Sequence, residues 1–291
     1  MLEGIVLNGN AGMVHMQCAI TYALKLSDVL LATRGASIPV FFQWKHYSCL
    51  QDIFTINHPQ FVVPDNIITQ FVDVAVDDVN SIINQPFASE HCIDALLASN
   101  GYLEINNKCM STYTAQQHFN VFKLTDNTKN TLKMLLDQLN DQHYVAINCR
   151  GSDYIKTKYN GSVESFLHVN SQRILNVKQQ HMHQKIVLCT DNQQLAVKFV
   201  DDCSIFSFSM AYNLHKHGIV LHDLQSIHGL RFKDVYNLSE YKINVDGVLD
   251  HYLLFLSSSC YADLKTNFGL RANLYFNYLK NKSMHEKLQC I

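Results

Sequence analysis

The chain has 291 residues, 47% hydrophobic and 16% charged, enough for one large core or two medium ones. Its formal net charge is −2, from 23 Lys and Arg against 25 Asp and Glu, which gives no electrostatic support for nucleic-acid binding or a polybasic membrane contact. Nine scattered Cys, none in a CxxC pair, read as reduced core thiols, and no window approaches the roughly 18 apolar residues of a membrane-spanning helix.

The opening MLEGIVLNGN lacks the basic flank and long apolar core of a signal peptide, so a cytoplasmic protein without a membrane span is expected. Residues 4–7 are apolar and partly β-branched and predict a strand, and Asn8, Gly9, Asn10 and Gly12 supply turn chemistry after it. From Met13 onward the spacing of Met16, Ala19, Ile20, Ala23 and Leu24 predicts a helix. The segment 38–44, IPVFFQW, is a second strand, and 60–122 reads as mixed short helices and strands.

A helix is predicted over 125–140, capped by Thr125 or Asp126, with Leu132, Leu135, Leu136 and Leu139 as its apolar stripe. Next come a strand over 143–149, a polar loop, and a helix from Val163 to Gln180 capped by Ser162. The strand 185–191 precedes a helix over 192–200. A helix over 246–259, a short strand over 260–266 and a helix over 268–281 complete the pattern. Strands alternating with helices imply parallel sheets with right-handed crossovers. The expected fold class is α/β, with two facing Rossmann-like domains, 1–140 and 141–291, and a final helix crossing back.

In open parallel sheets, ligands bind beyond the carboxyl ends of the strands. Three strand ends in the second half carry polar groups: Arg150, Ser152, Asp153 and Tyr154 after the first, Asp191 and Asn192 after the second, and Thr266 and Asn267 after the third. This set suits a nucleoside diphosphate. Arg150 can pair with phosphate, the Thr266 hydroxyl and the amides opening the last helix can take another phosphate oxygen, and Asp191 or Asp250 can accept from a base N–H or a ribose hydroxyl. The plainer alternative is a local Arg150–Asp153 ion pair in a turn, with Thr266 and Asn267 serving only as a helix cap.

The stretch VAINCRGSDY (145–154) resembles the peptide motif of the fucosyltransferase superfamily, which has the GT-B fold and includes α-1,2-, α-1,6- and protein O-fucosyltransferases. In that family the strand ends H-x-R-R-G-D-Y or, in the nodulation enzymes, H-x-R-G-T-D. Arg150, Asp153 and Tyr154 match and Gly151-Ser152-Asp153 resembles the second form, while Asn148 stands in place of the His and Gly151 in place of the first form's second Arg. LCTDN (188–192) is similar to the family's strand ending T-D-D or S-D-D. The segment from Asp250 through Thr266, Asn267 and Phe268 is similar to its third motif, a helix, a short strand and S-S-F-S or S-N-F-S. The family's N-terminal G-x-x-G-N-Q turn keeps its glycines here as Gly9 and Gly12, with Asn10 between them and Met13-Val14 at the Asn-Gln positions.

The resemblance implies an inverting, metal-independent transfer of fucose from GDP-fucose, a donor substrate and not a cofactor, to a glycan acceptor. It implies donor contacts from Asn148, Arg150, Ser152, Tyr154, Asp191, Asp250, Thr266, Asn267 and Phe268, and acceptor-side positions at Gly9, Asn10 and Gly12. Arg150 would stabilise the departing diphosphate, and Asp153 and His15 are candidates for the general base, with Gln17 a nearby polar group. Two rival readings are a catalytically silent glycan- or nucleotide-binding relative and an unrelated nucleotide-cofactor enzyme. The histidine groups at 181–183 and 215–217, with His222 and His228, read as solvated surface and not a metal site. Trp44, the single Trp, is either core or an acceptor-stacking ring.

Overall fold

A computed structural model describes residues 1–9, 12–44, 49–106, 114–139, 143–199, 201–207 and 240–291. The chain divides into two compact units, Met1–Lys123 and Leu124–Ile291.

The first unit is built on a parallel sheet of β1 (Leu2–Leu7), β2 (Val40–Phe42), β4 (Phe61–Val62), β5 (Phe71–Val72) and β6 (Gly101–Ile105), in the order β4-β2-β1-β6-β5. The strand β3 (Phe54–Ile56) lies outside this sheet. Helix α1 (Met13–Arg34) follows β1 and buries Met16, Ala19, Ile20, Ala23 and Leu24, the face expected from their spacing. It also buries Cys18, Tyr22 and Leu26, so it is covered nearly all round. Gly35, at φ 66, ends it in the left-handed conformation and donates its N–H to the Leu30 and Leu31 carbonyls. Short helices α2 (Leu50–Ile53), α3 (Val76–Asn84), α4 (Glu90–Ala98) and α5 (Ala115–Val121) complete the unit. Trp44 is 1% exposed, which makes it a core residue and removes the acceptor-stacking alternative.

The second unit carries β8 (Val145–Cys149), β9 (Ile186–Thr190), β10 (Ile205–Phe206) and β11 (Ser259–Tyr261), all parallel, in the order β10-β9-β8-β11. The strand β7 (Phe122–Leu124) precedes helix α6 (Asp126–Gln138), which Thr125 caps by accepting the Thr128 N–H. Of the expected stripe on α6, Leu132 and Leu139 are fully buried, and Leu135 and Leu136 only half so. Every residue of β8 and β9 is buried, as in a parallel sheet covered on both faces. Val145, Ile147, Phe166, Ile174, Ile186 and Leu188 form the centre of this core.

The polar loop expected after β8 is instead a helix, α7 (Ser152–Lys158). The Gly151 carbonyl already accepts the Ile155 N–H at 2.9 Å, so helical bonding starts one residue after Arg150. Asn160 and Gly161, at φ 48 and φ 80, then turn the chain into α8 (Val163–Gln180), with Ser162 as its cap. Helix α9 (Gln193–Lys198) follows β9, and α10 (Glu240–Leu256) packs against β8 and β9. The final helices are α11 (Asn267–Leu279) and α12 (Met284–Cys290). Helix α12 was not expected, although the capping box Ser283–Glu286 announces it in the sequence. No described helix is long and apolar enough to cross a membrane.

Lys287 on α12 is 5% exposed and donates to the Leu256 carbonyl at 2.8 Å and the Ser257 carbonyl at 3.2 Å. Burial pushes its pKa down. The lysine serves the carbonyls that end α10, where a positive charge also meets the negative end of the helix dipole. Lys287→Met keeps the stem and removes the donor. It should cost about 2 kcal/mol, because two buried acceptors lose their partner. A thermal melt should fall by about 4–8 °C, and an unchanged melting temperature would show that the carbonyls are otherwise satisfied.

Candidate functional site

In the second sheet, β8 runs on to β9 and β10 on one side, while β11 lies on its other side. The point between β8 and β11 is therefore the topological switch point, where the two following connections diverge and open a crevice at the carboxyl edge. Arg150 and α7 leave β8 on one side of this crevice. The turn carrying Asp263, and then α11, leaves β11 on the other.

Four side chains meet there. The Arg150 guanidinium carbon lies 5.9 Å from the centroid of the Tyr154 ring, and Lys158 Nζ lies 3.5 Å from the same centroid. Lys158 Nζ also donates to Asp263 Oδ2 at 2.8 Å, tying α7 to the turn before α11. Partial burial is the largest single influence and works against the charge on both partners, but their hydrogen bond, the other hydrogen bonds around them and their mutual attraction together outweigh it. Asp263 is held below its ordinary pKa and Lys158 above its own. Burial pushes the Tyr154 phenol up.

The second strand end is brought in by the backbone. The Gly151 N–H donates to Asp191 Oδ1 at 2.5 Å. A Cβ at position 151 would stand 2.9 Å from Asn192 Cβ and 3.3 Å from Asp191 Oδ1. The second Arg of the resembling motif has no room here. Asn192 is fully buried and caps α9 by accepting the Leu195 N–H at 2.8 Å. Thr190 donates its hydroxyl to the Cys149 carbonyl at 2.6 Å, tying the ends of β8 and β9 together.

The third strand end is fixed just as tightly. The Thr266 hydroxyl accepts the Gly269 N–H at 2.9 Å and donates to the Asp263 carbonyl at 2.9 Å. Its hydroxyl proton lies within the turn. Gly269 lies directly against that turn, since a Cβ there would fall 2.2 Å from the Asp263 carbonyl oxygen. Asn267 is exposed and Phe268 half-buried. The Phe268 ring packs on His251 of α10 at 4.5 Å, and its carbonyl oxygen lies 3.2 Å from His251 Nε2. Burial lowers the His251 pKa to about 3, so it is neutral and serves as packing and as a backbone donor.

The remaining expected donor residues lie deeper. Asn148 is buried and donates its side-chain amide to the Cys189 carbonyl at 3.2 Å, a bond within the sheet. Asp250 is buried on α10, and its backbone carbonyl lies 3.5 Å from Cys189 Sγ. Burial raises the neighbouring Cys149 thiol to about 12, so it stays protonated. The side chains of Ser152 and Asp153 lie outside the described residues, as do Asn10, His215, His217, His222 and His228. His181 is not plain surface. Its Nδ1 lies 2.8 Å from Gln184 Oε1 and its Nε2 2.8 Å from the Tyr261 hydroxyl.

Arg173 of α8 was missed by the sequence reading. It donates to the Asn148 carbonyl at 2.9 Å and to the Tyr261 carbonyl at 2.8 Å, clamping β8 and β11 across the switch point. In a polar helix face nothing marked it. Lys158 was missed because it was placed in a loop, where spacing from Tyr154 carries no meaning.

In the first unit, His15 is half-buried in the first turn of α1, and Gly9 and Gly12 flank its start. A Cβ at Gly12 would meet nothing within 4 Å. Met13 and Val14 are 6% exposed and belong to the core. Gln17 is buried, and its side-chain nitrogen has no hydrogen-bond partner among the described residues. The switch point of this sheet, between β1 and β6, holds a polar pair that the sequence did not announce: Asn8 donates to Glu104 Oε1 at 2.8 Å.

No known protein family and no curated protein matches the chain by sequence. Among solved structures, it is similar to the α-1,6-fucosyltransferase NodZ soaked with GDP-fucose, at 14% identity and a TM-score of 0.52, over 94% of this chain and 92% of that one. The same enzyme co-crystallised with GDP matches at 14% identity and a TM-score of 0.53 over the same shares. A selenomethionine form of NodZ from Bradyrhizobium does likewise, with a TM-score of 0.53. The chain therefore has a fucosyltransferase-like α/β fold of GT-B type, with parallel sheets.

Proposed function

We propose that this protein is an inverting glycosyltransferase that transfers fucose from GDP-fucose to a hydroxyl of a glycan. The observation that carries the reading is the gathering of Arg150, Tyr154, Lys158 and Asp263 at the switch point of the second sheet, on a fold shared with a GDP-fucose-soaked enzyme. As the glycosidic bond to the donor breaks, negative charge collects on the departing diphosphate. A fixed guanidinium beside it lowers the barrier, since it is in place before the charge develops. The amides opening α11 and the Asp191 carboxylate complete the donor contacts in this reading, the latter through ribose or base. Donor binding is assigned to the C-terminal part, about 141–291, and the acceptor to the N-terminal part, about 1–140. There Asn8 and Glu104 offer a hydrogen-bonding pair for a sugar hydroxyl. The reaction is assigned no metal, and the protein a cytoplasmic setting.

A catalytically silent glycan- or nucleotide-binding relative is the second reading, favoured by the core placement of Met13 and Val14 where amide-bearing residues were expected. A thermal-shift series separates these ideas. GDP at a hundredfold excess over its Kd should stabilise the protein by about 2.7 kcal/mol, with UDP and NAD doing less. Release of GDP from GDP-fucose then marks a living enzyme, and GDP binding without release marks the silent relative. Stabilisation by NAD alone would refute both.

A further inference from the structure

Gly151 leaves the site one cation short of the two-arginine form of the motif it resembles, and Asn192 and Asp191 crowd the space that a side chain at 151 would take. The same helix supplies a cation elsewhere. Tyr154 and Lys158 are four residues apart on α7 and so lie on one face, and Arg150 reaches the same Tyr154 ring from the helix's entry. One aromatic ring thus has a guanidinium at 5.9 Å and an ammonium at 3.5 Å. The Lys158 side chain is 36% exposed, so it is reachable from solvent.

We propose that Lys158 is the second cation of this site, a direct ligand of a phosphate of the nucleoside diphosphate, replacing from one helical turn beyond Tyr154 the charge that position 151 cannot carry. The inference rests on the donor-site reading above. An ammonium has three N–H groups. Asp263 Oδ2 takes one, the Tyr154 ring faces the charge, and a donor remains for a phosphate oxygen. Asp263 acts as a strut. Its Oδ1 accepts the Lys265 N–H at 3.0 Å while its Oδ2 holds Lys158, so the lysine is aimed from the turn that opens α11. Lys158 therefore spans the crevice between the β8 and β11 connections, where a ligand of this sheet would lie.

A simple structural tether would use the same ion pair, and the two roles differ in what each partner's removal does. Titration calorimetry of GDP and of guanosine against the full chain distinguishes them. Lys158→Ala should weaken GDP about tenfold to a hundredfold and leave guanosine within about twofold, since a charged hydrogen bond to phosphate is lost. Lys158→Arg should restore most of the GDP affinity. Asp263→Asn, which breaks the ion pair and keeps the ammonium, should weaken GDP less, about threefold to fivefold, since the lysine loses its aim but keeps its charge. Both alanine and asparagine variants should melt within a few degrees of the wild type, because a half-exposed ion pair contributes little to stability. Equal losses for Lys158→Ala and Asp263→Asn, or equal losses for GDP and guanosine, would overturn the inference. A wild-type chain that binds none of GDP, UDP and ADP overturns the donor-site reading itself, whereas GDP binding untouched by Lys158→Ala overturns only the role of Lys158.

Discussion

Arg150→Ala is expected to lower turnover of GDP-fucose by about a hundredfold to a thousandfold, the usual loss when a preorganised group is removed from developing charge. GDP affinity should fall by at least about tenfold, since a charge-assisted contact to phosphate goes with it. Arg150 sits at the first position beyond β8, half-exposed and beside Tyr154, so its truncation leaves the five buried strand residues undisturbed. The melting temperature should therefore change little. The split between kcat and KM is informative. A loss mainly in kcat means that the guanidinium meets charge formed in the transition state, and a loss only in KM means that it binds donor and transition state alike. Unchanged turnover in a folded Arg150→Ala variant would refute the donor-site assignment.

Gly269→Ala should be the most damaging small substitution in the second unit. The added Cβ would fall 2.2 Å from the Asp263 carbonyl oxygen, 2.7 Å from its carbon and 2.9 Å from its nitrogen. All three are backbone atoms, so no side chain can swing aside. Either α11 or the turn after β11 must move, at a cost of about 3 kcal/mol or more. That predicts a melting temperature lower by about 6–12 °C. The same movement pulls the Thr266 cap from the Gly269 N–H and Asp263 from Lys158, so GDP affinity should fall along with stability. A variant as stable as the wild type and with unchanged GDP affinity would contradict this close packing. Loss of stability alone would show that the Asp263 turn is not part of the nucleotide site.

The periodicity of the sequence located most of the second unit, because its strands and helices are long and their caps are of a readable kind. Ser162 opens α8 at the position its hydroxyl predicts, and Thr125 does the same for α6. The spacing of Arg150, Asp191 and Thr266 placed three polar strand ends at one sheet edge, and the backbone bond from Gly151 to Asp191 joins two of them. What escaped was decided by neighbours distant in sequence. Gly151 with small polar residues reads as a loop, yet it starts a helix because Asp191 fixes its amide and Ile155 takes its carbonyl. The Thr266 hydroxyl bridges the Asp263 carbonyl and the Gly269 N–H, a pairing with the preceding turn that its position at a helix start does not reveal. Arg173 and Glu104 matter through partners in other elements, Arg173 through carbonyls 25 and 88 residues away and Glu104 through Asn8, 96 residues away. No local pattern announces such contacts.

The crowding around Gly151 also constrains how this site can change over generations. An arginine at 151 requires Asn192 to yield first, because the contact is with Asn192 Cβ at 2.9 Å. Yet Asn192 caps α9, and glycine, the one residue without that Cβ, gives up the side-chain cap at a cost of roughly a few tenths of a kcal/mol. Each step taken singly is a loss, and only the pair of changes opens the two-arginine arrangement. Positions 151 and 192 are thereby coupled, whereas the ammonium one helical turn beyond Tyr154 stands outside that coupling.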